Sequence, residues 1–208
     1  MKKSRIESFS DGVFAIVITL LVLSIKIPDV NYSKISDGLL AILPSTGVYA
    51  LSFILIGMYW VFHHYSFSFF DEVDGVMVWL NIIFLLFISF LPFPTSLLGK
   101  YPFHTLPVLL YGINLILPNL TGLVLILYLR WNPRLAAPSF TKEIFRAQII
   151  TYVIVNGIYI IGLVIAVFNP RLSLYLFGGM AVYLIIRSTL MMGIGRCNLF
   201  NRHKNALG

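Results

Sequence analysis

The side chains of this sequence that could move protons or hold ions gather near one depth of an otherwise apolar chain. Asp11 follows Phe9 and Ser10, His63 and His64 close an apolar run, Asp71, Glu72 and Asp74 come next, and Trp79 and Asn81 open another run. Ionisable groups in hydrocarbon are expensive, so each of these either serves a function or is tied up by a partner. Three chemistries fit the set. A proton relay would use Asp11 and the histidines. A metal site would use His63, His64, Asp71 and Asp74. A hydrogen-bonded network would join Ser10 and Asp11 to a histidine, the Trp79 indole or Asn81, and would tie three helices together where water is scarce. The metal is the weakest of these, because adjacent side chains on a helix point about 100° apart. His63 and His64 therefore cannot both face one ion while the helix lasts. The packing network outweighs direct proton or ion binding.

Catalytic chemistry has less to stand on. There is no nucleophile elbow, Walker loop, HExxH or GxGxxG, so the sequence does not read as an enzyme. Cys197 is the only cysteine, which excludes a disulfide framework or a thiolate metal site within one chain. No cofactor is expected. Thr46-Gly47-Val48-Tyr49-Ala50 resembles a scrambled potassium filter, but a working filter is a re-entrant TVGYG loop whose carbonyls replace the ion's hydration shell. Here the order is wrong, and the segment lies inside a continuous apolar run.

The elements that must position these groups are membrane spans. Of 208 residues, 59% are apolar and 11% charged, with mean hydropathy +0.90. A soluble domain carries about 25% charged residues, so lipid is the outer solvent. Six stretches approach the roughly 20 apolar residues that a span requires. They cover about 10–27, 39–62, 76–98, 105–129, 147–168 and 171–192. The connections are short, so residues 1–208 form one six-helix, all-α membrane domain with no soluble module. Lys2, Lys3 and Arg5 before an apolar run could suggest a signal peptide, but the run is too long and lacks a small-residue cleavage site, so it reads as a mature helix. Pro28 and Asp29 stop the first span, Pro44 sits near the start of the second, and Leu91-Pro92-Phe93-Pro94-Thr95 predicts a kink at the end of the third.

The net charge of +7 sits at helix ends rather than in one patch with interleaved aromatics, which argues for topology and against nucleic acid. With a cytoplasmic N terminus, ten basic residues fall inside (Lys2, Lys3, Arg5, Arg130, Arg134, Lys142, Arg146, Arg196, Arg202, Lys204) and four outside (Lys26, Lys34, Lys100, Arg171), with Arg187 left within the last span. Both termini are then cytoplasmic by the positive-inside rule. No internal repeat of spans is visible, which weakens an inverted-repeat transporter and favours several copies around an axis.

The first span carries one further pattern. At about 100° per residue, Ile16, Leu20 and Leu23 fall within about 60° of one another, flanked by Gly12 and Thr19. By itself such a stripe fits lipid contact or helix packing at least as well as a pore.

Arg5-Ile6-Glu7-Ser8-Phe9-Ser10-Asp11, continuing through Gly12 to Ile16 and Thr19 to Leu23, resembles the RxxxFSD signature of the prokaryotic relatives of transmembrane protein 175, the lysosomal potassium channel family. Trp60, His63 and His64, then Trp79-Leu80-Asn81 and Leu91-Pro92-Phe93-Pro94-Thr95, extend the likeness through the first three spans. The last three follow by hydropathy alone. Ser24 departs from the pattern, standing where many relatives are expected to carry an acidic residue, which bears on the charge of an outer vestibule. The resemblance implies a homotetramer in the bacterial plasma membrane, with span one of each subunit lining a central pathway for monovalent cations. It further implies that Ile16 forms the narrowest ring with Leu20 and Leu23 above it, that Thr19 adds a hydroxyl selectivity layer, and that potassium passes with modest preference over sodium. Arg5, Phe9, Ser10, Asp11, His63, His64, Trp79 and Asn81 are then the signature and inter-helix network rather than ion ligands. The rival functions are a secondary or proton-coupled transporter using Asp11 and the histidines, and a non-conducting scaffold.

Overall fold

A computed structural model describes residues 2–26 and 28–186. Among them the regular structure is helical: α1 (Lys3–Leu20), α2 (Ile35–Ala41), α3 (Leu43–Phe67), α4 (Gly75–Phe90), α5 (Pro92–Lys100), α6 (Thr105–Trp131), α7 (Lys142–Phe168) and α8 (Pro170–Ile186). Five stretches are long and apolar enough to cross a membrane: Lys3–Ser24, Leu43–Phe67, Gly75–Lys100, Thr105–Trp131 and Lys142–Phe168. The sixth predicted span coincides with the shorter α8 as far as residue 186; its remainder, with Arg187, Arg196, Cys197, Arg202 and Lys204, lies outside the described residues.

Proline placement explains the breaks. Pro44 occupies the first turn of α3, where its missing N–H costs nothing. Pro92 opens α5, so the third span is interrupted at Leu91, as its proline pair predicts. Pro118 lies inside α6 and cannot donate to the preceding turn. One turn away, the Tyr59 hydroxyl donates to the Leu115 carbonyl at 2.5 Å, and the Asn119 amide donates to that carbonyl at 2.8 Å and to Tyr59 Oη at 2.9 Å. Pro118 removes the ladder bond to the Asn114 carbonyl, and these side chains brace the neighbouring Leu115 carbonyl in the same turn.

α6 is the central post: 50% of its most apolar window is buried, against 28% to 33% in the other four spans. It packs most extensively on α7. Close approach is bought by glycine. The Phe177 ring of α8, fully buried, sits in a notch between Gly112 of α6 and Gly162 of α7, where an added Cβ would meet the ring at 2.8 and 2.3 Å. A second polar tie holds α3 to α5 and α6, with Thr95 Oγ1 donating to Ser52 Oγ at 2.9 Å and Ser52 Oγ 2.9 Å from Tyr111 Oη.

One end of the bundle is closed by two loops that the sequence placed on the same membrane side. Asp71 N donates to Leu135 O at 2.9 Å, Ala137 N donates to Phe69 O at 2.8 Å, and Phe70 bridges Ala136. Lys3 Nζ donates to Phe70 O at 2.7 Å, fastening the start of α1 to the same layer. Asp74 caps α4 by accepting from Met77 N at 3.0 Å and accepts a second bond from the Tyr128 hydroxyl of α6. Partial burial alone would raise the Asp74 carboxyl, but these two bonds and nearby Arg134 outweigh it and hold the group below its ordinary value.

Candidate functional site

α1 has two faces. Ile6, Ser10, Phe14, Val17 and Leu21 are buried against α3 and α4, at spacings of three and four that make a strip about 80° wide. The other side has no partner among the described residues. Ile16 is 59% exposed, Leu20 49% and Leu23 72%, Thr19 is exposed, and a Cβ at Gly12 would find nothing within 4 Å. Residues Leu21–Ser24 tighten into a 3-10 turn. With three residues per turn, Leu23 comes directly above Leu20, so the stripe continues instead of drifting. The Thr19 hydroxyl donates to the carbonyls of Ala15 and Ile16 at 3.0 and 2.8 Å, which leaves its oxygen lone pairs outward.

Behind the buried strip lies a polar cluster. Ser10 Oγ donates to Ile6 O at 2.9 Å and accepts from Asn81 Nδ2 at 3.1 Å, while Asn81 Oδ1 lies 2.7 Å from His63 Nε2. Since a carboxamide oxygen only accepts, that contact makes Nε2 the donor. The imidazole is walled by Phe67, Phe84 and Phe14, with ring centroids at 4.2, 5.2 and 5.8 Å, so Asn81 is its polar anchor. Three helices therefore meet through one amide: α1 by Ser10, α3 by His63, α4 by Asn81.

The other expected members sit elsewhere. Asp11 Oδ1 accepts from the Trp60 indole at 2.8 Å, on α3 rather than from Trp79 on α4. His64 stacks on Trp60 at 6.1 Å and faces away from His63. Trp79, at 67% exposure, and Phe9, also exposed, point off the subunit, and exposed Arg5 borders an open groove of about 370 Å³ between α1 and α4 with Phe9 and Asn81. Among the described residues no group of three His, Cys, Asp or Glu side chains could hold a metal ion. Asp11 and His63 thus belong to two separate hydrogen-bonded pairs, each joining α1 or α4 to α3.

Trp60 is the member that sequence reasoning left outside the network. Its signal was present: Trp60, His63, His64 and Phe67 recur at i, i+3, i+4 and i+7 on one helix. The Tyr59–Asn119 and Ser52–Thr95–Tyr111 ties carried no such signal, because their partners are far apart in the chain.

The chain is similar to known proteins in just this region. The family model described as endosomal/lysosomal potassium channel TMEM175 matches residues 5–92. A potassium channel of Chryseobacterium sp. (strain P1-3) is 39% identical over 125 residues, covering 60% of this chain and 64% of that one. The endosomal/lysosomal proton channel TMEM175 of Gallus gallus is 38% identical over 110 residues, 49% of this chain and 22% of that one. The chain therefore matches less than two thirds of the length of these relatives. The crystal structure of a lysosomal potassium-selective channel TMEM175 homolog from Chamaesiphon minutus superposes with a TM-score of 0.80 at 29% identity, over 89% of this chain and 97% of that one. This chain is a multi-pass membrane protein that is similar to the TMEM175 family by sequence across α1, α3 and α4 and by fold across most of its length.

Proposed function

We propose that this protein is a potassium-conducting cation channel of the plasma membrane, in which α1 of each of four identical subunits faces a common axis. The observation that carries the reading is the outward stripe of α1: Ile16, Leu20 and Leu23 remain exposed while the far side of the same helix is fully engaged by its own subunit. The likeness to channels named for potassium supports the choice of a pore over a lipid-facing surface.

Four copies of Ile16 form the narrowest ring, with Leu20 and Leu23 above it. An apolar ring that narrow expels water and closes the pathway without a charged plug. Splaying α1 wets it. Partial dehydration favours potassium, which holds its water less tightly than sodium, and Thr19 hydroxyls replace some of the lost ligands, so the preference is modest. Ser10–Asn81–His63 and Asp11–Trp60 set the position of α1 relative to α3 and α4 and thereby the width of the ring. Both termini are cytoplasmic.

A transporter with an Asp11–histidine relay fares worse, because Asp11 and His63 sit in separate hydrogen-bonded pairs and His63 is enclosed by aromatic rings. Reconstitution of purified protein in liposomes, with reversal potentials measured for potassium against sodium, tests the proposal. Large currents that reverse toward the potassium potential support it; slow, saturable flux coupled to pH, or none, overturns it.

A further inference from the structure

At the end of the bundle closed by the paired loops, the end of α6, the start of α7 and the loop between them surround a cavity of about 140 Å³. Arg130 and Lys142 line it, together with Thr141 and the rings of Phe140 and Phe145, and among the described residues no acidic side chain does. Arg130 is exposed, and its guanidinium lies over the Phe145 ring, 5.9 Å from its centroid, beside the cavity. Arg146 follows one turn after Lys142 on α7. Glu143, next to Lys142 in sequence, does not line the space, although its carboxylate lies within electrostatic reach of Lys142 and Arg146. Trp131, beside Arg130, is 75% exposed, as an aromatic at the headgroup level of a membrane is.

A soluble anion would need only the cations. The combination here is different: two positive side chains, Arg130 and Lys142, beside the rings of Phe140 and Phe145, where apolar span α6 ends and span α7 begins. That is the shape of a phosphodiester with acyl chains attached, and basic clefts between spans at the positive side of a membrane bind anionic headgroups. We propose that this cleft is a binding site for an anionic phospholipid, with Arg130 and Lys142 on the phosphate and Phe140 and Phe145 against the glycerol and upper acyl carbons. The site is lined by α6, α7 and the loop between them, with no α1 residue in its lining, and stands or falls independently of ion conduction.

Native mass spectrometry of purified protein in detergent, with phosphatidylglycerol and phosphatidylcholine supplied together, tests it. The wild type is expected to retain phosphatidylglycerol in preference, and Arg130→Gln and Lys142→Gln each to lower that preference about five-fold. Lys100→Gln, which removes a charge at the opposite end of the bundle, serves as the control and is expected to leave the preference intact. Melting in detergent without added lipid shows whether each variant is folded, and Arg130→Lys, which keeps the charge, is expected to restore most of the preference. Equal retention of the two lipids by the wild type, or an unchanged preference in a folded Arg130→Gln/Lys142→Gln double variant, overturns the proposal. So does inorganic phosphate alone if it raises the melting temperature as much as phosphatidylglycerol does.

Discussion

Asn81→Ala tests the reading of the three-helix cluster most sharply. The Asn81 amide donates to Ser10 and accepts from His63. Once it is removed, Ser10 keeps its bond to the Ile6 carbonyl and loses little. His63 has no such fallback: its Nε2–H is left among Phe14, Phe67 and Phe84 with 8% of the residue exposed. An orphaned buried donor costs about 1–3 kcal/mol, whereas a single interhelical hydrogen bond in a membrane protein averages about 0.6 kcal/mol. Asn81→Ala is therefore expected to destabilise by about 1–3 kcal/mol and Ser10→Ala by about 0.6 kcal/mol. Adding His63→Phe to Asn81→Ala removes the stranded donor and should recover part of the loss. Reversible unfolding in mixed micelles measures all three. If Ser10→Ala costs as much as Asn81→Ala, or if His63→Phe makes the Asn81 variant worse, the amide is not the hub and the assignment fails.

Ile16→Asn is expected to raise leak current in reconstituted protein by wetting the ring; currents identical to wild type would count against Ile16 as the gate. Asp11→Asn, which keeps an oxygen for the Trp60 indole but makes it a weaker acceptor, should impair folding or opening more than ion preference, and a large selectivity shift at unchanged conductance would defeat that role. In Gly162→Ala the new Cβ would stand 2.3 Å from the buried Phe177 ring, an overpacking expected to cost about 1–3 kcal/mol; thermal unfolding indistinguishable from wild type would mean that α8 is not seated as described. The Asp74 carboxyl lies below its ordinary value, so the stabilisation it gives is complete above about pH 4 and is lost as pH falls through the lower folded value. Melting temperatures of wild type and Asp74→Asn between pH 3 and 6 should therefore converge only below about pH 4, and a difference that does not change with pH would refute the role of that charge.

Hydropathy alone located five of the six expected spans, because in lipid the backbone must form helices and the only free choice is where they start and stop. The breaks at Pro44 and Leu91 were equally legible, since proline acts on its own backbone and needs no partner. The RxxxFSD stretch carried the likeness to the TMEM175 family for the same reason: its information is local. Partner choice was not local. Asp11 was expected near a histidine, Trp79 or Asn81, but helix rotation gives it Trp60 and gives Asn81 to Ser10 and His63. The seat of Phe177 between Gly112 and Gly162, and the charged cleft beside Arg130 and Lys142, depend on three helices approaching at particular heights. Above all, the stripe of Ile16, Leu20 and Leu23 has the same spacing whether it packs inward or faces out. Only packing of Ile6, Ser10, Phe14, Val17 and Leu21 into the subunit leaves that stripe exposed, because a helix can bury just one side against its neighbours.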